Sequence, residues 1–204
     1  MQHQVLQFGD FKLKSGRNSP YFFNSGLFYY SSALAQLGQF YAQAIHTAEI
    51  TFDGLFGPAY KGIPLVAATA IALAEHYHQD IPYSYNRKHA KDHGEGGQIV
   101  GAPLAGRILM IDDVITAGTA LREVMPLIEA AGSQLVGVVV AFNRQERGLT
   151  QRSATEEIEA QYGIPLISIA SFTDLMEFLA TQTDTQPLLT AMRHYQRTYG
   201  ALEP

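Results

Sequence analysis

A chain of 204 residues, 47% hydrophobic and 16% charged, is long enough for one cored domain and too apolar to be disordered. A net charge of −5 gives no support for a nucleic-acid-binding face, and the absence of cysteine excludes disulfides, thiolate nucleophiles and Cys-ligated zinc. The N-terminal stretch lacks a positive region followed by an apolar run. The longest apolar stretch, around 63–74, is too short and interrupted to span a bilayer, so a soluble cytoplasmic protein is expected.

In chain order, residues 11–13 and 21–23 are predicted to be two short strands about the turn Ser15, Gly16, Arg17, Asn18. A helix is expected over 32–47, with Leu34, Leu37, Tyr41, Ala44 and Ile45 on one face. Beyond it, apolar runs alternate with helical patterns: strands at 52–56, 82–85, 107–111, 135–142 and 165–169, helices at 64–78, 119–131 and 153–162. Such alternation predicts an α/β fold with a central parallel sheet flanked by helices, and ligands outside the carboxyl ends of its strands. The stretch 86–107 breaks the rhythm. Its five glycines and its density of Arg, Lys and His mark a functional loop and not core.

The sharpest motif is ILMIDDVITAGTALRE, residues 108–123. Four apolar residues end in Asp112 and Asp113, and the small-residue turn Thr116, Ala117, Gly118, Thr119, Ala120 opens a helix. Backbone N–H groups converging there, with the helix N-terminus, suit a phosphate monoester. The two carboxylates just upstream suit sugar hydroxyls. The plainer reading is an ordinary strand-to-helix turn capped by a threonine, with the acids exposed. It is not a Walker loop, because no Gly-Lys-Ser/Thr follows. In FGPAYKGIP, residues 56–64, Gly57, Pro58 and Gly62 surround Tyr60 and Lys61, a backbone path able to turn N–H groups toward an anion.

The 108–123 stretch resembles the phosphoribosyl pyrophosphate (PRPP) signature of the type I phosphoribosyltransferases. FKLKSGRNSPYFFNSGLF at 11–28, FGPAYKGIPL at 56–65, NRKHAKDHGEGG at 86–97 and NRQERG at 143–148 resemble, in order, segments of the orotate phosphoribosyltransferase family. The resemblance implies the type I phosphoribosyltransferase fold in one domain over 1–204: a small N-terminal hood with base-binding residues over 1–50, a PRPP-binding core over 51–170 and C-terminal helices over 171–204. It also implies transfer of phosphoribosyl from PRPP to orotate, giving orotidine 5′-monophosphate, in pyrimidine biosynthesis. PRPP contacts would be Lys14, Tyr60, Lys61, Arg87, Lys88, Lys91, His93, Asp112, Asp113, Val114, Ile115, Thr116, Ala117, Gly118, Thr119 and Ala120. Orotate contacts would be Lys14, Phe22, Phe23, Thr116 and Arg144. Of Phe22 and Phe23, one is expected in the core, because strand neighbours point opposite ways. Lys91, His93, Asp112 and Asp113 would carry the catalysis, with 87–97 a mobile cationic lid reaching the neighbouring subunit of a homodimer. Mg²⁺ would be held mainly by PRPP and water, without a protein cage.

Two departures stand out. Family members usually begin with a further helix ahead of Gln4, and Asn143 stands where an acidic residue is expected; the latter reads as tuning. Rival readings are a phosphoribosyltransferase for a purine or uracil, a non-catalytic PRPP-sensing regulator, and a generic nucleotide-binding protein. SGRNSPYFFN and the NRQERG arginine argue against the first, Lys88, Lys91 and His93 against the second, and the Asp112-Asp113 loop against the third.

Overall fold

The computed structural model describes residues 3–13, 15–91, 97–115, 118–148 and 150–201. Strands β1 (Leu6–Lys12) and β2 (Asn18–Phe23) form an antiparallel hairpin, the hood. Helix α1 (Ser31–Thr47) follows, then β3 (Gly54–Gly57), α2 (Gly62–Tyr77), β4 (Tyr83–Lys91), β5 (Gly97–Gly101), β6 (Arg107–Val114), α3 (Thr119–Ala130) and β7 (Gln134–Asn143). The chain closes with α4 (Ala154–Tyr162), β8 (Leu166–Ser171), α5 (Phe172–Ala180) and α6 (Gln186–Tyr199). Every strand and helix predicted from sequence is present, and β1 and β4 run well beyond their expected limits.

The main sheet has the order β5-β4-β3-β6-β7-β8. Five of its strands are parallel, and β5 adds an antiparallel edge against β4, so the sheet is mixed. Strand periodicity sorts the core. Leu109 and Ile111 of β6, with Val139 and Ala141 of β7, face α1 and α2 through Leu37, Tyr41, Ile45, Leu65, Val66 and Leu73. Their neighbours Ile108, Met110, Val138 and Val140 face α3 and α4 through Leu121, Val124, Ile128 and Ile158. Leu34 and Ala44 of the predicted α1 face are only partly buried, and they pack at the edge of the first cluster. A third cluster joins Tyr21 of the hood and Phe142 of β7 to Phe172, Leu175, Leu189, Met192 and Tyr195 of the last two helices. The hood is thereby fixed at the carboxyl end of the sheet. No helix among the described residues is long and apolar enough to cross a membrane.

Candidate active site

β6 lies between β3 and β7 and delivers two acids at its carboxyl end. Asp112 is buried and Asp113 is 13% exposed at its side chain. The backbone holds both: Asp113 N–H donates to Asp112 Oδ1 (2.9 Å) and Val114 N–H to Asp113 Oδ1 (2.8 Å). The hydroxyl of Tyr41, on α1, donates to the Asp112 carbonyl at 2.6 Å. Asp113 Oδ2 accepts from Ser25 Oγ at 2.5 Å and from Lys61 Nζ at 2.7 Å. Burial, and then the negative charge of Asp113, push the Asp112 carboxyl up to about 7. A carboxyl raised in this way beside a second acid offers hydroxyl partners both a donor and acceptors when it holds its proton.

Past the acids, Val114 packs toward the hood and Ile115 toward the α3 face. Thr116 and Ala117 lie outside the described residues. Gly118 begins α3 in the left-handed conformation (φ 66°, ψ 20°), which a glycine adopts without strain, and among the described residues no side chain caps the helix. Among the described residues no side chain accepts from the N-terminal N–H groups of α3, at exposed Thr119 and half-buried Ala120, an arrangement that suits an external acceptor.

The loop from β3 to α2 runs beside these acids. A Cβ on Gly62 would stand 2.5 Å from Pro58 Cδ and 3.0 Å from the Ile111 carbonyl, so this close approach requires glycine. The Ala59–Tyr60 peptide is cis, and Ala59 N–H donates to Oδ1 of buried Asn86 at 2.8 Å. Tyr60 is exposed, and Lys61 reaches across to Asp113. The structure therefore brings Lys61, Asp112 and Asp113 together from separate motifs.

Residues 87–91, the first part of the expected lid, occupy the far part of β4, and 92–96 lie outside the described residues. Arg87 Nη1 donates to the Gly97 carbonyl at 3.3 Å, and Lys88 Nζ pairs with Glu123 of α3 at 2.8 Å. β4 extends to Lys91, whose side chain lies outside the described residues, as do His93 and Lys14.

At the end of β7, Arg144 is almost fully buried. It donates from Nε to Glu146 Oε1 (2.6 Å) and from Nη2 to Ser19 Oγ and the Tyr195 hydroxyl (3.2 Å each), and its guanidinium lies 4.2 Å from the Tyr21 ring centre. Burial opposes its charge, but Tyr21, Glu146 and Tyr195 outweigh that and raise its pKa further. Phe23 is the core member of its pair, stacked on Phe142 at 5.3 Å, while exposed Phe22 stacks on Phe11. Asn143 Oδ1 accepts from Gln145 N–H at 2.9 Å. An aspartate would offer the same acceptor, so Asn143 keeps the turn and drops the charge.

Sequence reading assigned no role to Ser25, Asn86, Glu123, Glu146 or Tyr195. Four of them touch an expected site residue, and Asn86 holds Ala59 beside Tyr60. All but Tyr195 lay inside quoted motifs, but the partners of Asn86, Glu123, Tyr195 and Ser25 are 27 to 88 residues away, so nothing local marked those contacts.

Residues 29–164 match the phosphoribosyl transferase domain family. Orotate phosphoribosyltransferase of Thioalkalivibrio sulfidiphilus is 60% identical over 98% of this chain and 94% of its own length. That of Pseudomonas aeruginosa is 56% identical over the same shares. The crystal structure of orotate phosphoribosyltransferase from Francisella tularensis superposes with a TM-score of 0.88 at 41% identity, covering 98% of this chain and 96% of that one. The fold is that of the type I phosphoribosyltransferases, and the chain belongs to the orotate phosphoribosyltransferase family.

Proposed function

We propose that this chain transfers the 5-phosphoribosyl group of PRPP to orotate, releasing pyrophosphate and forming orotidine 5′-monophosphate for pyrimidine biosynthesis. The observation that carries the reading is the meeting of Lys61 with Asp112 and Asp113 on the strand that leads into the start of α3. The N–H groups of α3, with Thr116, take the 5-phosphate. Asp112 and Asp113 hold the ribose hydroxyls, and Lys61 leaves Asp113 for the pyrophosphate. Lys88 makes the same exchange from Glu123. Both lysines keep their ammonium ends within reach of solvent, Lys61 56% and Lys88 38% exposed at the side chain, so a polyanion can compete for them.

Orotate displaces pyrophosphate at C1, so the protein needs no nucleophile of its own. It orients the two partners and stabilises charge on the leaving group. Arg144 takes the orotate carboxylate, with Lys14, Phe22, Phe23 and Thr116 around the ring. Lys91 and His93 close over the pyrophosphate from the lid of a neighbouring subunit. Among the described residues no group of three or more His, Cys, Asp or Glu could hold a metal ion. Two adjacent carboxylates are hard oxygen donors that suit Mg²⁺ arriving with PRPP and keeping its waters. When bound, Mg²⁺ neutralises charge on the pyrophosphate. Both substrates are charged and membrane-impermeant, which supports a cytoplasmic location.

The test is spectrophotometric. Orotate consumption should require both PRPP and Mg²⁺, with uracil, hypoxanthine and adenine inert; PRPP binding without turnover of any base would overturn the reading. Lys91→Ala should lower turnover by ~10²-fold or more, the scale of losing one preorganised charge contact. Mixing Lys91→Ala chains with Asp113→Asn chains should restore activity through hybrid dimers. Failure of two separately folded variants to complement would show that the lid serves its own subunit.

A further inference from the structure

We infer that Glu146 is the positioning residue of the base site, holding the Arg144 guanidinium in one plane and leaving a single donor for the orotate carboxylate. This rests on the reading of Arg144 as the carboxylate-binding residue. Glu146 gathers three donors on its two oxygens. Oε1 accepts from Arg144 Nε at 2.6 Å and from the Tyr195 hydroxyl at 2.7 Å, and Oε2 accepts from Arg17 Nη1 at 2.9 Å. These donors come from the β7 end, from α6 and from the hood turn, so three separate elements meet on one carboxylate.

The rest of the guanidinium is equally constrained. Nη2 donates to Ser19 and Tyr195, and the ring of Tyr21 covers one face. Among the described residues Nη1 has no hydrogen-bond partner. The side chains of Arg144 and Glu146 are only 7% and 12% exposed, so water is a poor substitute for any partner removed.

Charge bookkeeping points the same way. Arg17 and Arg144 carry two positive charges against one on Glu146, and the remaining positive charge is what a substrate carboxylate matches. Removing the charge of Glu146 would place two guanidinium groups together without their shared counter-ion. It would also free Nε to turn toward the substrate, so that the arginine no longer presents one fixed geometry. A contact made through one remaining nitrogen depends on that geometry more than on charge alone. Glu146 touches no substrate and acts only through Arg144.

The experiment is a double-mutant cycle in steady-state kinetics, with Glu146→Gln, Arg144→Ala and the double variant. Glu146→Gln is expected to raise KM for orotate by about tenfold, the effect of one charge-assisted hydrogen bond, with kcat and KM for PRPP within about twofold of the parent. In the Arg144→Ala background the same change should have no further effect on KM for orotate. Tyr195→Phe removes one hydroxyl from the same network and should raise KM for orotate by about threefold, so the cycle retains a readable arm if Glu146→Gln does not fold. An equal effect of Glu146→Gln with and without Arg144, or a fall in kcat with both KM values unchanged, would overturn the inference. If Arg144→Ala itself leaves KM for orotate unaltered, the reading of Arg144 fails, and the positioning role fails with it.

Discussion

Asp112 sits where burial and a like charge both oppose its ionisation. Its carboxyl titrates near 3.8 in the unfolded chain and at about 7 in the folded protein. Between those values the folded state retains a proton that the unfolded state has lost, so this group lowers stability as pH rises through the window and by a constant amount above it. Asp112→Asn removes that cost, together with the carboxylate proposed to hold ribose hydroxyls. The variant should melt above the parent at pH 8, by on the order of a few kcal/mol in stability, and the gap should shrink toward zero near pH 4.5. Melting curves with equal gaps at both pH values would show that the acid is not destabilised by its site. At this scale the sequence marks Asp112 and Asp113 plainly, since two acids after an apolar run have few structural uses. Ser25 leaves no such mark: it is one serine in a turn, and only the fold brings its hydroxyl to Asp113.

Among the elements, α1 and α2 show how a close approach is written into sequence. A Cβ at Gly38 would stand 2.5 Å from the Ala68 carbonyl oxygen, a backbone atom that no rotamer change can move. Two effects compete in Gly38→Ala. Helix propensity favours alanine by about 1 kcal/mol, and overpacking costs about 1–3 kcal/mol. The contact is with backbone, so overpacking should win and the denaturant midpoint should fall; a rise would mean that the helices part cheaply. Helices were legible from their apolar periodicity, and the central strands from the unbroken apolar runs that coverage on both faces produces, as at β6 and β7. β5 and the outer half of β4 were not. As an edge pair they are held by antiparallel backbone hydrogen bonds and need little alternation of side chains, so Arg87, Lys88 and His89 read as loop although they lie on a strand.

For the molecule as a whole, β2 is the member that touches both halves of the site. Ser19 and Tyr21 lie on Arg144, and Ser25, two residues past the strand, holds Asp113. Ser25→Ala deletes one hydroxyl without changing the core, and it should weaken PRPP binding by about three- to tenfold, the worth of one hydrogen bond to a charged group. Calorimetric titration with PRPP would read this directly, and an unchanged affinity would show the contact to be idle. A strand fastened at both proposed ligand positions also has a thermodynamic consequence. Any displacement that one substrate imposes on Asp113 is transmitted to Arg144, and the reverse holds with the same free energy. The factor by which PRPP alters orotate affinity must then equal the factor by which orotate alters PRPP affinity. Two equilibrium titrations, each against a non-reacting analogue of the other substrate, would measure one number twice.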